Sequence, residues 1–173
     1  MVGSRRLGRF GALVLTCGLW AGAGPASAAA SPFVQSSGPL SDLVPGVANP
    51  TDGASAQLYA VSADDASTTF VLFLSGLDPE AQGQTFGAHI HVGACKPGNG
   101  AAAGPHYNTG GPPSPTTEVW LDFTVLPGGY AFAVTTVPFV IPAGAAHSMV
   151  IHAEPTQASG AAGARMACLP VEF

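Results

Sequence analysis

Short runs of β-branched and aromatic residues between glycine- and proline-rich turns constrain the fold of this chain more than any other feature. No run of ten or more residues shows helical spacing of its apolar positions. Asp64-Asp65 and Pro127-Gly128-Gly129 have the composition of hairpin turns. Strands are predicted at 56–62, 68–76, 87–92, 117–125, 129–137, 147–153 and 165–172. Six or seven such strands predict an all-β antiparallel sandwich or barrel.

The first 28 residues have the composition of an export signal. A basic stretch at 5–9 precedes an apolar run at 10–20, which is too short to span a membrane, and an A-x-A cleavage site follows at 26–28. We therefore expect a secreted or cell-envelope protein. General secretory and twin-arginine export both stay open, because the apolar residues expected after the arginine pair are only partly present.

The charge balance excludes some partners. Three of the five basic residues lie in the signal segment, so Lys96 and Arg165 remain against 10 acidic residues, a net charge of about −8. Such an acidic chain is not expected to bind nucleic acid or an anionic membrane. Residues 29–54 are rich in Ser, Pro and Gly and are predicted to be a flexible leader, with an extra edge strand as an option. One domain, at 55–173, and a monomer are expected.

A histidine-rich stretch from Gly87 to Asn108 carries the candidate chemistry. His89 and His91 are two residues apart in a predicted strand, so both imidazoles leave the same face. Two imidazoles on one face can form half of a copper or zinc site. The pair alone is a weak signal, since half-buried strands more often carry structural or exposed histidines.

Several further motifs follow in a fixed order and resemble the copper/zinc superoxide dismutase family. The family pattern is G-x-H-x-H, a cysteine soon after, G-P-H-x-N, a late V-[IV]-H and G-x-R-x-A-C. The chain carries these motifs at 87–91, Cys95, 104–108, 150–152 and 163–168. The resemblance covers roughly residues 55–173 and implies a Greek-key β-sandwich.

The resemblance also implies a role for each matching residue. Three histidines would be permanent copper ligands and a fourth would be the bridging histidine, in order His89, His91, His152 and His106. Arg165 would hold the superoxide anion, with a salt bridge to Glu154 or Glu172 as the alternative. Cys95 and Cys168 would form an intrasubunit disulfide, with thiol ligation of copper as the alternative. His147 is interpreted as a surface histidine and Lys96 as a solvated loop residue.

The chain departs from the family at the zinc site. No histidine lies between His106 and the predicted strand at 129–137, and a zinc site needs more nitrogen or sulfur ligands than remain. The interval from His152 to Arg165 is short as well. Both features resemble the copper-only branch of the family, in which a carboxylate hydrogen-bonds the former bridging histidine. Glu118 is the first candidate for that carboxylate and Asp122 the second.

These observations predict a secreted, copper-dependent superoxide dismutase with superoxide as its small-molecule substrate and without zinc. A non-catalytic copper-binding or copper-buffering envelope protein on the same fold is the alternative. The arginine argues against that alternative, because metal storage needs no anion site. A copper–zinc enzyme with an unusual zinc site is the third possibility.

Overall fold

The computed structural model of the chain describes residues 1, 3, 32–64 and 66–173. Ten strands in this part of the chain form two four-stranded antiparallel sheets and a two-stranded ribbon. Two short 3₁₀ turns lie at Pro79–Ala81 and Gly100–Ala103. The strands are β1 Phe33–Pro39, β2 Ser41–Asp42, β3 Ser55–Asp64, β4 Ser67–Ser75, β5 Thr85–Phe86, β6 Ala88–His91, β7 Phe123–Thr124, β8 Ala131–Val137, β9 Ser148–His152 and β10 Arg165–Pro170.

The first sheet has the order β1-β3-β4-β8 and buries one of its two faces. The alternation is clearest in β4, where Phe70, Leu72 and Leu74 are buried and the residues between them are half-buried or exposed. Successive side chains of a strand point to opposite faces, so this pattern turns one face of the sheet toward the core.

The second sheet has the order β2-β10-β9-β6 and is buried on both faces. Ile90, Met149 and Ile151 belong to the main core with the first sheet. Val150, between the last two, belongs to a separate small cluster with Leu43, Ala103 and Cys168. Loops therefore cover the outer face of this sheet, and the histidines of β6 and β9 lie on that covered face.

The predicted fold class is confirmed: the chain is all-β with antiparallel sheets that form a sandwich. Six of the seven predicted strands overlap strands of four or more residues in the structure. The predicted turn at 127–129 lies inside the bridge between Leu126 and Tyr130. The predicted strand at 117–125 is reduced to β7, because its first half pairs with two different segments through the bridges Asn108–Glu118 and His89–Trp120.

The described part of the predicted leader is not a free segment. All seven residues of β1 pair antiparallel with β3, from Phe33 opposite Val61 to Pro39 opposite Ser55. The short β2 pairs with β10 in the other sheet. Residues 33–54 therefore belong to the sandwich, and the domain begins before residue 55. The extra edge strand that the sequence left as an option is therefore present as β1, although its composition is polar and only Val34 in it is buried.

The predicted signal segment lies outside the described residues, apart from positions 1 and 3. No helix in the described part of the chain is long and apolar enough to cross a membrane.

Candidate metal centre

Strands β6 and β9 bring three histidines to the outer face of the second sheet. His89 and His91 alternate with buried Ile90, and the neighbouring strand pairs them with Val150 and Ser148. His152 ends β9, and its backbone N–H donates to the carbonyl of Gly87 at 2.8 Å. Because hydrogen bonds pair the backbones of the two strands, the Cα atoms from which the three imidazoles extend are fixed relative to one another.

The fourth histidine reaches the group from a loop. His106 forms an isolated antiparallel bridge with His91. The adjacent Tyr107 N–H donates to the carbonyl of Ile90 at 2.8 Å. The glycine- and proline-rich loop before His106 therefore ends in a single bridge position that pairs with β6. The side chain of His106 is 17% exposed, whereas those of His89 and His91 are fully buried.

The four imidazoles form one group. One ring nitrogen from each of the four histidines lies within 4.8 Å of those of the other three. Among the described residues this is the one group of three or more histidine, cysteine or acidic side chains arranged to hold a metal ion. The predicted candidate ligands are thus brought together, and the group could bind a metal.

The remaining ring nitrogens are held by protein acceptors. His91 Nδ1 donates to the carbonyl of Gly104 at 3.1 Å, and His152 Nδ1 donates to the carbonyl of Gly163 at 3.3 Å. The Nε2 atoms of these two histidines lie 3.2 Å apart. With both ring protons on Nδ1, two lone pairs face each other, and a cation between them removes that repulsion. The spacing suits two metal–imidazole bonds of about 2.0–2.1 Å.

The buried histidines are neutral. Burial, followed by the other histidines of the group, lowers the pKa of His89 from 6.5 to about 2. Burial likewise lowers the pKa of His91 to about 3 and that of His152 to about 4, although the hydrogen bonds to backbone carbonyls act in the opposite direction. Neutral imidazoles keep a free lone pair, which is the form that ligates a metal.

One buried atom tests whether these residues fit a metal. His89 Nδ1 is the buried side-chain nitrogen or oxygen that lacks a hydrogen-bond partner in the described part of the chain. Leaving a buried polar atom unpaired costs about 1–3 kcal/mol, so such atoms usually have a purpose. A metal ion bound to this nitrogen would satisfy it. The donor set of four imidazoles suits copper or zinc, and its geometry alone does not identify the metal.

Glu118 holds the far side of His106. His106 Nδ1 donates to Glu118 Oε2 at 2.9 Å, and Trp120 Nε1 donates to the same oxygen at 2.9 Å. Asn108 Nδ2 donates to the other oxygen at 3.0 Å. Burial raises the pKa of Glu118, but these three hydrogen bonds outweigh burial and leave the pKa below its ordinary value. The buried carboxylate is therefore ionised and fixes the ring of His106.

Asp122, the second candidate for that position, does not reach His106. Its two oxygens accept from Thr156, from the backbone N–H at 2.7 Å and from the hydroxyl at 2.5 Å. The same hydroxyl lies 2.7 Å from His89 Nε2. Asp122 therefore contacts the group through Thr156 and on the side of His89.

Arg165 lies beside the histidines. It is the direct cross-strand partner of His152, and a bulge between Arg165 and Ala167 sets this register. Its guanidinium donates to the carbonyl of Gly100 at 2.7 Å and is half-buried. The described ion pairs are His106–Glu118 and His147–Glu172, so neither expected salt-bridge alternative for Arg165 is formed. Burial lowers the pKa of Arg165, but guanidinium groups stay charged in proteins.

The predicted disulfide is present. Cys95 and Cys168 are bonded, with their Cα atoms 5.6 Å apart across 73 positions of sequence. The bond ties the loop that contains Gly100 to β10, the strand that begins with Arg165. A disulfide is consistent with an extracytoplasmic protein. Lys96, next to Cys95, is exposed, and His147 lies outside the histidine group.

No supporting role was expected from the sequence for five residues that hydrogen-bond the histidines or Glu118: Gly104, Asn108, Trp120, Thr156 and Gly163. A signal existed for Trp120, because Glu118, Trp120 and Asp122 alternate with the buried Val119 and Leu121. This alternation places the three polar-ended side chains on one face. Thr156 lies in a loop of ordinary composition, and nothing in the sequence indicates its contact with His89.

Comparisons with known proteins show the fold and leave the family open. No family model and no curated protein matches the chain. A solved structure described as "Crystal Structure Analysis of the clock protein EA4" is similar at a TM-score of 0.59 and 15% identity, over 82% of this chain and 94% of that one. At this identity the similarity shows the shared β-sandwich fold alone.

Proposed function

We propose that this chain is an exported, copper-dependent superoxide dismutase that uses no zinc. One observation carries the proposal: four imidazoles each turn one ring nitrogen toward a shared centre, beside a half-buried guanidinium. A metal store needs only the imidazoles. A fixed cation next to them suits a small anionic substrate. The ordered motifs that resemble copper/zinc superoxide dismutases support the same function.

His89, His91, His106 and His152 would hold the copper. When bound, copper supplies the one-electron exchange by which one superoxide is oxidised to O₂ and a second is reduced to hydrogen peroxide. Zinc finds few further ligands here, because Glu118 already accepts three hydrogen bonds at the far side of His106.

The chain's own residues supply charge and protons. Arg165 attracts the superoxide anion, and its bond to Gly100 O keeps the guanidinium beside His152. His106 is the candidate proton donor, because it is the most exposed of the four histidines and its Nδ1 proton is fixed on Glu118. Its Nε2 atom would hold the proton for the reduced substrate when His106 does not bind the copper.

Arg165→Glu tests the proposal. We expect copper content and fold to be unchanged and superoxide turnover to fall on the order of tenfold to a thousandfold, because local attraction becomes repulsion. Lys96→Glu is the matched control: it makes the same change in net charge at an exposed loop position and should leave turnover near the wild-type value.

Superoxide consumption by copper-loaded protein, followed by pulse radiolysis, measures these effects. If both variants lose the same fraction of superoxide turnover, Arg165 acts only through the net charge of the protein and not as a local anion site. Wild-type protein that binds copper but consumes no superoxide would instead support the copper-buffering function.

A further inference from the structure

The hydrogen bonds of His89 differ from those of its three partners. In His91, His106 and His152 the Nδ1 atom meets a protein acceptor, which leaves Nε2 for the centre of the group. In His89 the pattern is reversed, since Nε2 is 2.7 Å from Thr156 Oγ1 and Nδ1 is the buried atom without a partner. His89 therefore needs a different device to present a lone pair.

The position of one hydrogen can be deduced from the contacts of Thr156. A hydroxyl group has a single hydrogen, and an ionised carboxylate can only accept. Because Asp122 Oδ1 lies 2.5 Å from Thr156 Oγ1, the hydroxyl donates to Asp122. The same oxygen then accepts, and His89 Nε2 must be the donor of the 2.7 Å bond. A neutral imidazole with its proton on Nε2 has its lone pair on Nδ1.

Thr156 itself is held in place from two sides. Its backbone N–H donates to Asp122 Oδ2 at 2.7 Å, so one carboxylate holds both its backbone and its hydroxyl. On the other side lies Gly87, where an added Cβ would be 2.9 Å from Thr156 Oγ1 and 2.9 Å from Ala162 Cβ. The glycine thus allows the 153–164 loop to lie against β6, within reach of His89.

We propose that Thr156 is a positioning residue that relays the charge of Asp122 to His89, and so keeps Nδ1 of His89 deprotonated and directed at the metal. This inference rests on the proposed metal site and adds a residue to it. Removal of such a hydrogen bond to a metal ligand typically lowers metal affinity by about 10- to 100-fold.

The tautomer of His89 can be measured without any metal or variant. In metal-free wild-type protein, long-range ¹H–¹⁵N correlation spectra distinguish a proton on Nδ1 from one on Nε2. We expect His89 to carry its proton on Nε2 and His91, His106 and His152 to carry theirs on Nδ1. A proton on Nδ1 of His89 would overturn the proposal.

Two substitutions at position 156 test the effect on the metal. Thr156→Val removes the hydroxyl but keeps the shape and the backbone bond to Asp122. We expect copper(II) affinity, measured by chelator competition, to fall about 10- to 100-fold and the copper(II) electron paramagnetic resonance spectrum to change. Thr156→Ser keeps the hydroxyl and should restore both readouts to near wild type.

Thr85→Val is the control, because the hydroxyl of Thr85 makes an exposed hydrogen bond with that of Thr124 in the ribbon of β5 and β7, outside the histidine group. It should leave affinity and spectrum unchanged. If Thr156→Val keeps wild-type affinity and spectrum, the proposal is wrong even though copper binds. If wild-type protein binds no copper, the proposed function fails instead, and the tautomer spectrum still decides the role of Thr156.

Discussion

Glu118 is the residue on which the orientation of His106 depends. Its ionised carboxylate accepts from His106, Asn108 and Trp120, so a neutral amide there must turn an N–H toward at least one donor. We expect Glu118→Gln to reduce the free energy of unfolding by about 1–3 kcal/mol and to lower superoxide turnover. Urea unfolding and a turnover assay measure the two effects.

The control for that change is Glu172→Gln. The side chain of Glu172 is 84% exposed, and the substitution also removes a carboxylate beside a histidine. A surface change of this kind should stay within about 0.5 kcal/mol of wild type. If Glu118→Gln is equally mild, the buried carboxylate does not position His106.

The three buried neutral histidines predict acid sensitivity of the metal-free protein. The pKa values of His89, His91 and His152 are lowered to about 2, 3 and 4, below the 6.5 of a free histidine. Between about pH 4 and 6.5 the unfolded chain therefore binds more protons, and stability falls as the pH falls. The loss at pH 5 relative to pH 7.5 is up to about 2 kcal/mol for each histidine. Glu118 adds to the loss only below its ordinary pKa of 4.5.

Urea unfolding of metal-free protein at pH 7.5 and pH 5, with the disulfide intact, measures this loss. His152→Gln removes one of the three groups and should reduce the loss by roughly a third. Equal stability of the wild-type protein at the two pH values would show that the histidines titrate normally in the fold.

At the scale of elements, the edge strand β1 and the short β2 predict where the folding unit begins. Val34, Leu43 and Ala54 are buried in this segment, and β1 covers one edge of β3. A chain that starts at residue 55 should lose at least about 3 kcal/mol of stability, from two large apolar side chains alone, and should aggregate through the uncovered edge.

Denaturant unfolding and light scattering test this against a chain that starts at residue 32. A chain that starts at residue 29 is the control and should behave like the one from 32. If the chain that starts at residue 55 is as stable as the one that starts at residue 32, residues 32–54 are a leader that does not stabilise the domain.

The sequence predicts elements well where composition and burial agree. Strands β3, β4 and β8 have alternating apolar residues, and the predicted bounds lie close to the observed ones. β1 could be predicted only as an optional edge strand, because its sequence FVQSSGP buries one side chain and is held mainly by backbone pairing with β3. Backbone hydrogen bonds leave no compositional trace, so an edge strand of this kind looks like a linker.

Within the site, too, some residues could be predicted from the sequence and others could not. The four histidines and Arg165 could be named from ordered motifs, because ligands require particular residue types at particular spacings. Thr156 and the carbonyls of Gly104 and Gly163 could not, because any loop can offer a hydroxyl or a carbonyl. Only the folded arrangement of the loops shows which of them meet an imidazole.

For the whole molecule, metal content is the property that separates the copper-only hypothesis from a copper–zinc protein. Protein exposed to both metals and then dialysed should hold about one copper and no further zinc per chain, as measured by mass spectrometry of the elements. The reason lies beside His106 Nδ1, where Glu118 is already engaged and an added Cβ on Gly160 would lie 3.4 Å from its Oε2. The region is therefore packed, and a second ion has little room.

Copper should also stabilise the entire fold, because the four ligands come from β6, β9 and a loop that meet only in the folded state. At a free copper concentration 100-fold above Kd the gain is about 2.7 kcal/mol, which raises Tm by roughly 5–10 °C in a domain of this size. Calorimetry measures the shift, and the double variant His89→Ala, His152→Ala should abolish it. A chain that retains one zinc in addition to one copper, with a further rise in Tm, would contradict the copper-only assignment.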